Sequence, residues 1–259
     1  MKIKAVVFDW AGTIVDFGSL APMGAFVQLF KRHGVAITIE QARQPMGLPK
    51  LEHIRALGSM ADIATAWAAA HDGEPFNEHC ARELHEEFEP MSAQSAWEHR
   101  AFIPGFMQTY KALLDLGIRV ATTTGYTRKI MQPIIEDAAL HGFLPDITIC
   151  CDDLPRSRPD PMGMWACAKA MDTEPGPHII KVDDTAPGLL EGLNAGCQAV
   201  GVAVSGNALG WSLGDWVQAS EHERESARLL AGQKLRLAGA HHVIDSVADL
   251  VPFIQHQSD

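Results

Sequence analysis

Long apolar runs are missing from this 259-residue chain. None approaches the ~18 residues a bilayer-spanning helix requires, and Met1 to Phe8 holds too short an apolar stretch for a signal peptide. Cysteine is scarce: Cys80, Cys150, Cys151, Cys167 and Cys197 form no CxxC pair and no Cys/His set at zinc spacing. An odd number of thiols suits a reducing compartment, so free cysteines and a cytoplasmic protein are expected. Positive charge is in deficit, with 21 Lys and Arg against 32 Asp and Glu and a net charge of −11. That balance excludes a general affinity for nucleic acid or anionic membrane, and any anionic ligand must be held by a local device. Internal repeats and low-complexity tracts are also missing. The twelve histidines are scattered, and even His241-His242 has no partner at ligand spacing.

What is present is alternation. Short β-branched or apolar runs at 3–8, 118–122, 147–150, 178–182 and 199–204 are separated by segments with helical apolar spacing. Such alternation predicts an α/β fold with a parallel, Rossmann-like sheet covered on both faces. The exception is residues 19–98, which read as successive helices and are expected to form an inserted all-helical cap domain, leaving 1–18 and 99–259 as the core domain. Within the insertion, Phe76, Cys80, Leu84 and Phe88 recur every four residues along one helical stripe, opposite a face of Glu and Arg. Trp67 among alanines reads as core. A charged amphipathic helix over 220–239 and a last strand and helix over 242–254 complete the chain.

In an open parallel sheet, ligands bind beyond the carboxyl ends of the strands. Here those positions carry Asp9-Trp10-Ala11-Gly12-Thr13, then Thr123-Thr124-Gly125, then a loop with Arg158-Pro159, then Asp183-Asp184-Thr185. A nucleophilic carboxylate, a hydroxyl near backbone amides, a fixed cation and an acidic pair are the parts that bind a phosphoryl group together with a divalent ion.

These four segments resemble the motifs of the haloacid dehalogenase superfamily, and the helical insertion after the first resembles its mobile cap. Most phosphatases of that superfamily carry a second Asp two residues after the nucleophile, which protonates the leaving oxygen; this chain has Ala11 there. DWAGT followed by VDFGS, QPMGLPKLEHIRAL, TTTGYTRKIM, RPDP and NAG together resemble the phosphonatases, the phosphonoacetaldehyde hydrolases of that superfamily. The resemblance spans essentially the whole chain. It implies hydrolysis of the carbon–phosphorus bond of phosphonoacetaldehyde to acetaldehyde and phosphate, with a lysine Schiff base as electron sink and an aspartyl-phosphate intermediate. No leaving oxyanion then needs a proton, which accounts for Ala11.

The resemblance implies roles residue by residue. Asp9 attacks phosphorus, Lys50 forms the imine, and Arg158 clamps the phosphonate oxygens bidentately. Gly12 permits close backbone approach, Thr123 supplies a hydroxyl, and Met46 lines the pocket. Magnesium is held by the Asp9 carboxylate, the Ala11 carbonyl and the fourth motif, with Asp184 the better match for direct ligation and Asp183 behind it. That motif departs from the common pattern: the position four after Asp184 is Gly188 where another Asp is usual. The local sequence supports Lys50 independently, because Pro49 suits the first position of a helix and puts Lys50 in its first turn, where the dipole disfavours an ammonium. His53, three residues on, shares that face and can move a proton. Tyr126 is expected against the closed cap, Ser19 at its hinge as an N-cap, and Arg156 in solvent. The Ala- and Met-rich cap helices, with the resemblance, lead to a homodimer as the expected assembly. Two rival readings are an ordinary ester phosphatase or dehalogenase of the same fold, opposed by Ala11 and Lys50, and a degenerate phosphoryl-binding protein, opposed by the intact Asp9, Thr123, Arg158 and Asp184.

Ala11→Asp is expected to slow phosphonate cleavage, because a new carboxylate beside Asp9 repels both it and the incoming anion. Phosphate release from phosphonoacetaldehyde measures this, and a variant faster than the parent refutes the reason given for the missing acid.

Overall fold

The computed structural model describes residues 2–256, so the expected core-domain limits at 1 and 259 lie outside the described residues. Six parallel strands form one sheet in the order β3-β2-β1-β4-β5-β6. They are β1 (Ala5–Phe8), β2 (Arg119–Thr123), β3 (Thr148–Ile149), β4 (Ile179–Asp183), β5 (Gln198–Val202) and β6 (His242–Ile244). The order reverses between β1 and β4, which are paired through Phe8 and Val182, so the crevice beyond their carboxyl ends is the topological switch point.

Strand β1 shows why both faces are covered. Val6 and Phe8 pack on one side with Phe106, Tyr110, Ile130 and Ile134. Ala5 and Val7 pack on the other with Met164, Cys167 and Ala168. The first group belongs to helices α6 (Phe106–Asp115) and α7 (Arg128–Leu140), the second to α8 (Met162–Ala170). Helices α9 (Ala186–Asn194) and α11 (Glu221–Leu237) cover the β4–β5 half, with α10 (Leu213–Gln218) in the loop between. A single 3-10 turn and α12 (Leu250–His256) end the described chain. All five cysteines are free.

Between β1 and α6 the described residues hold five helices and no strand: α1 (Ala21–Arg32), α2 (Ile39–Arg43), α3 (Lys50–Gly58), α4 (Ala61–Ala70) and α5 (Glu78–Glu98). They enclose a separate apolar cluster in which Phe26 stacks on Phe88 at 4.2 Å and Leu84, Ala81, Ile54 and Trp67 are buried. The Phe76–Phe88 stripe therefore faces inward as its spacing implies, while Glu78 and Arg82 are exposed. Helix α5 runs beyond that cluster, since Ala93 and Ala96 join the sheet-side core. One helix thus belongs to both hydrophobic bodies.

The junction into α1 differs from expectation. Ser19 does not cap the helix: it has φ +51°, and the cap residue Leu20 offers no side-chain acceptor. Instead Asp16 reaches over the turn, its two carboxylate oxygens accepting from the Leu20 and Ala21 amides at 2.9 Å each. The carboxylate gives each of the two orphan amides an oxygen of its own. Arg43 at the end of α2 closes the junction from the cap side, donating to the Gly18 and Gly210 carbonyls and to Asn207 Oδ1, each at 3.0 Å.

Asp16→Ala is expected to destabilise the protein by about 1–3 kcal/mol, because two buried amides lose their acceptors. The urea midpoint reads this, and an unchanged midpoint removes Asp16 as the cap.

Candidate active site

Asp9 follows β1 and is almost fully buried. Burial and the neighbouring Asp183 push its carboxyl up to about 6, against the opposing pull of Arg158 and Lys181. Arg158, also buried, sets Nη1 2.8 Å from Asp9 Oδ1 and 3.4 Å from Asp183 Oδ2. Its other donors point away from Asp9. Nε meets Glu191 Oε2 at 3.1 Å, and Nη2 donates to both the Thr123 carbonyl and hydroxyl at 2.7 Å. The bidentate clamp expected from sequence is therefore corrected: only Nη1 is left on the Asp9 side.

Thr123 is corrected in the same way. Its hydroxyl is buried under the site, accepting from Lys181 Nζ at 2.6 Å and donating to Glu191 Oε2 at 2.8 Å. The neighbouring Thr124 lines the cavity instead, with Gly125 and Tyr126. A strand turns successive side chains to opposite sides, so which of three consecutive threonines faces the ligand depends on a register that composition does not reveal.

Lys181 and Glu191 were absent from the sequence reading. Lys181 is fully buried within β4, 3.2 Å from Asp183 and 3.3 Å from Glu191. A lysine inside an apolar strand run, with a glutamate on the next helix, was the available signal, since buried charges require partners. Three glycines make room for this cluster. A Cβ at Gly163 would meet Glu191 Oε1 at 2.3 Å, one at Gly192 would meet Lys181 Cβ at 2.5 Å, and one at Gly188 would meet Asp183 Oδ2 at 1.9 Å. Gly188 therefore has a geometric reason, although glycine within a helix costs about 1 kcal/mol relative to alanine.

Asp9, Asp183 and Asp184 can present oxygens within 4.8 Å of one another. Asp184 Oδ2 accepts from the Asn207 amide at 2.7 Å, while its Oδ1 is buried without a hydrogen-bond partner. Burial, Asp9 and Asp183 together push the Asp184 carboxyl well above the usual range. Asp183 is otherwise engaged: Oδ1 accepts from the Thr185 amide and hydroxyl, and although burial opposes it, Arg158 and Lys181 hold its carboxyl low. Asp183 Oδ2 also lacks a hydrogen-bond partner, and an all-oxygen donor set with two such carboxylate oxygens fits a hard divalent cation. Gly12, at φ +83°, lies so close that a Cβ would sit 2.1 Å from Asp184 Oδ2. Ala11 lines the cavity beside Asp9.

Across from this set stands the cap. Lys50 is buried, with Nζ 4.5 Å from the Tyr126 ring centroid and 5.8 Å from that of Phe26. Pro49 is the N-cap rather than the first helical residue, so Lys50 opens α3. Its ammonium is disfavoured chiefly by burial, which brings it down to about 8. Met46, Gly47 and Ser19 complete the same wall. Gly47 has φ +91°, and a Cβ there would strike the Thr185 hydroxyl at 2.4 Å, so cap and core touch at this point through bare backbone. His53 is buried behind Lys50, stacked on Phe26 at 3.9 Å, with Nε2 2.8 Å from the Ala42 carbonyl. A carbonyl only accepts, so Nε2 carries the proton and Nδ1, which has no partner, holds the lone pair. Burial, and then Lys50, keep His53 well below its usual titration range. Arg156 is exposed and paired with Asp160 at 3.0 Å. The space between Asp9 and Lys50 is only about 30 Å³, water-sized rather than substrate-sized.

The chain matches the haloacid dehalogenase-like hydrolase family over residues 3–196. It is 46% identical to the phosphonoacetaldehyde hydrolase of Paraburkholderia phytofirmans, covering 97% of this chain and 94% of that protein. Identity to the phosphonoacetaldehyde hydrolase of Bacillus cereus is 38%, over 99% and 97%. The crystal structure of a phosphonoacetaldehyde hydrolase-like protein from Oleispira antarctica superposes with a TM-score of 0.96 at 41% identity, covering 99% of this chain and 92% of that one. The fold and the strand-end site thus define a haloacid dehalogenase-type hydrolase, and within that class the chain belongs to the phosphonoacetaldehyde hydrolase family.

Asp184→Ala is expected to weaken Mg²⁺ binding more than Asp183→Ala, since the Asp183 carboxylate already faces the Lys181 and Arg158 cations. Titration calorimetry orders the two, and the reverse order makes Asp183 the direct ligand.

Proposed function

We propose that this enzyme hydrolyses phosphonoacetaldehyde to acetaldehyde and phosphate through a Schiff base on Lys50 and a phosphorylated Asp9. One observation carries the reading: a buried lysine with a lowered pKa and a buried aspartate face one cavity from opposite domains, with Ala11 standing where an acid for an oxygen leaving group would be. Expelling carbon from phosphorus directly would produce a carbanion. The neutral Lys50 amine adds to the aldehyde carbon and loses water, and the resulting protonated imine accepts the electron pair when Asp9 attacks phosphorus and the C–P bond breaks. The product on the cap is an enamine, and that on the core an aspartyl phosphate. Water hydrolyses the acyl phosphate. Protonation of the enamine carbon and hydrolysis of the imine release acetaldehyde and free Lys50, so one water is consumed overall.

His53, neutral and with Nδ1 free, is placed one helical turn from Lys50 to take and return the proton that the amine and carbinolamine exchange. Arg158 Nη1 orients a phosphonate oxygen against Asp9, and Thr124 and Gly125 border the same space. Met46 and Tyr126 keep the imine dry. Asp9, Asp184 and the Ala11 carbonyl would hold Mg²⁺, with Asp183 behind them, and the ion would supply the positive charge that lets a carboxylate approach a dianionic phosphonate. The free thiols suit the cytoplasm as the enzyme's location, and a homodimer is the assembly we assign.

Lys50→Arg separates an imine-forming lysine from a merely attractive cation, because arginine keeps the charge but cannot become a neutral amine at accessible pH. Turnover is expected to fall by several orders of magnitude, and borohydride with substrate should no longer label position 50 in peptide mass mapping. Near-normal turnover, or labelling of another lysine in the parent, refutes the mechanism. Preferential phosphate release from p-nitrophenyl phosphate over phosphonoacetaldehyde refutes the substrate. Because the reactive form of Lys50 is the neutral one and half is neutral at about pH 8, the rate of imine formation should rise with pH through that region and level off above it.

A further inference from the structure

Arg43 ends a cap helix, yet its guanidinium hydrogen-bonds outside the cap. Nη1 donates to the Gly18 carbonyl and to Asn207 Oδ1, and Nη2 to the Gly210 carbonyl, each at 3.0 Å. The loop that receives it follows β5 and is shaped to take it: Gly210 has φ +73°, and a Cβ there would meet Arg43 Cζ at 2.6 Å. The other side of the same loop presses on the acidic cluster. A Cβ at Gly206 would meet Asp184 Cβ at 2.3 Å, and the Asn207 amide donates to Asp184 Oδ2 at 2.7 Å, so Oδ1 is the oxygen of that carboxylate without a partner. Asn207 thus faces both ways: its side chain accepts from a cap cation while its backbone donates to a core carboxylate.

Charge alone does not explain an arginine here. Arg43 is drawn to the Asp16 and Asp184 charges, and a fixed cation beside an acidic cluster opposes the binding of a second cation there. Orientation works in the other direction, because a ligand held by a hydrogen bond from behind binds a metal better than one free to turn. We propose that Arg43 is a positioning residue of the metal site that acts from the cap, fixing through the Asn207 side chain the loop whose amide holds Asp184 ready for Mg²⁺. Cap docking and metal binding then favour one another reciprocally. The proposal rests on Asp184 being a ligand of the ion.

Mg²⁺ titrated by calorimetry into the chelator-treated protein tests this without turnover. Arg43→Ala is expected to weaken binding about tenfold, the scale on which the outer partners of metal ligands act. Arg43→Lys, which keeps the charge but not the planar fork, should weaken it too. Asn207→Ala keeps the amide, removes only the side-chain acceptor, and should lose affinity severalfold. The double variant Arg43→Ala with Asn207→Ala should bind no worse than Arg43→Ala, because both break one chain of contacts. Tighter binding by Arg43→Ala with Arg43→Lys unchanged overturns the proposal, since Arg43 is then only a competing charge. Additive losses in the double variant overturn the route through Asn207. A lower urea midpoint without Mg²⁺, combined with parent-like affinity of the folded variants, makes Arg43 merely structural and also overturns it. If Arg43→Ala does not fold, Arg43→Lys and Asn207→Ala decide, and parent-like affinity in both is a refutation. Asp184→Ala separates the two layers: if it keeps the parent's affinity, the ligand assignment fails and the proposal with it, whereas if it abolishes binding and the Arg43 variants bind like the parent, the proposal fails alone.

Discussion

A carboxylate that must attack an anion, the role we propose for Asp9, needs positive charge fixed beside it before the anion arrives, and the surroundings of Asp9 provide it. Burial and the neighbouring Asp183 push Asp9 up to about 6 even with Arg158 and Lys181 opposing them. Arg158 answers on one side, and the acidic cluster with its unsatisfied Asp184 oxygen is built to be answered by a cation on the other. Arg158 is itself held by Glu191 and Thr123, and Thr123 by Lys181. The arrangement beneath the nucleophile is thus a closed set of opposite charges with little freedom to reorient. Preorganisation of this kind is what makes electrostatic stabilisation effective in a dry site.

In the mechanism we propose, the second constraint is that the electron sink and the nucleophile occupy different bodies. Lys50 opens a cap helix, whereas Asp9 ends a core strand, and both are buried when the two bodies meet. Burial lowers the lysine and raises the aspartate, so it favours the neutral amine and makes a compensating cation beside the carboxylate more valuable. Bare backbone at Gly47 lets the cap come close to Thr185, and Arg43 ties the cap to Gly18 and to the loop whose Asn207 amide holds Asp184.

Much of this was legible in the sequence because the fold writes its chemistry at strand ends. β-branched runs located the strands, and the residues after them supplied Asp9, Arg158 and the Asp183-Asp184 pair without any side-chain geometry. The Phe76–Phe88 stripe and Trp67 revealed the cap core by periodicity alone. What escaped was set by orientation and by distant pairing. Thr123 and Thr124 differ only in the side to which the strand turns them. Asp16 displaced Ser19 as the α1 cap because the loop carries it back over the turn. Lys181 and Glu191 are ten residues apart in sequence and become partners only when β4 and α9 pack. Their trace in the sequence was slight: a lysine inside an apolar strand run, and glycines at 163 and 192 where no side chain fits.

That buried charge cluster also constrains how the chain can assemble. Lys181 belongs to β4, Glu191 to α9 and Arg158 to the loop before α8, so no one of these segments can be desolvated alone without stranding an ion, at a cost of several kcal/mol. Strand, helix and loop must therefore close over the sheet together, and partial docking of any of them is penalised until the last partner arrives. This half of the core should consequently form and dissolve as one cooperative unit, a foldon whose boundaries are drawn by ion pairs rather than by hydrophobic contact.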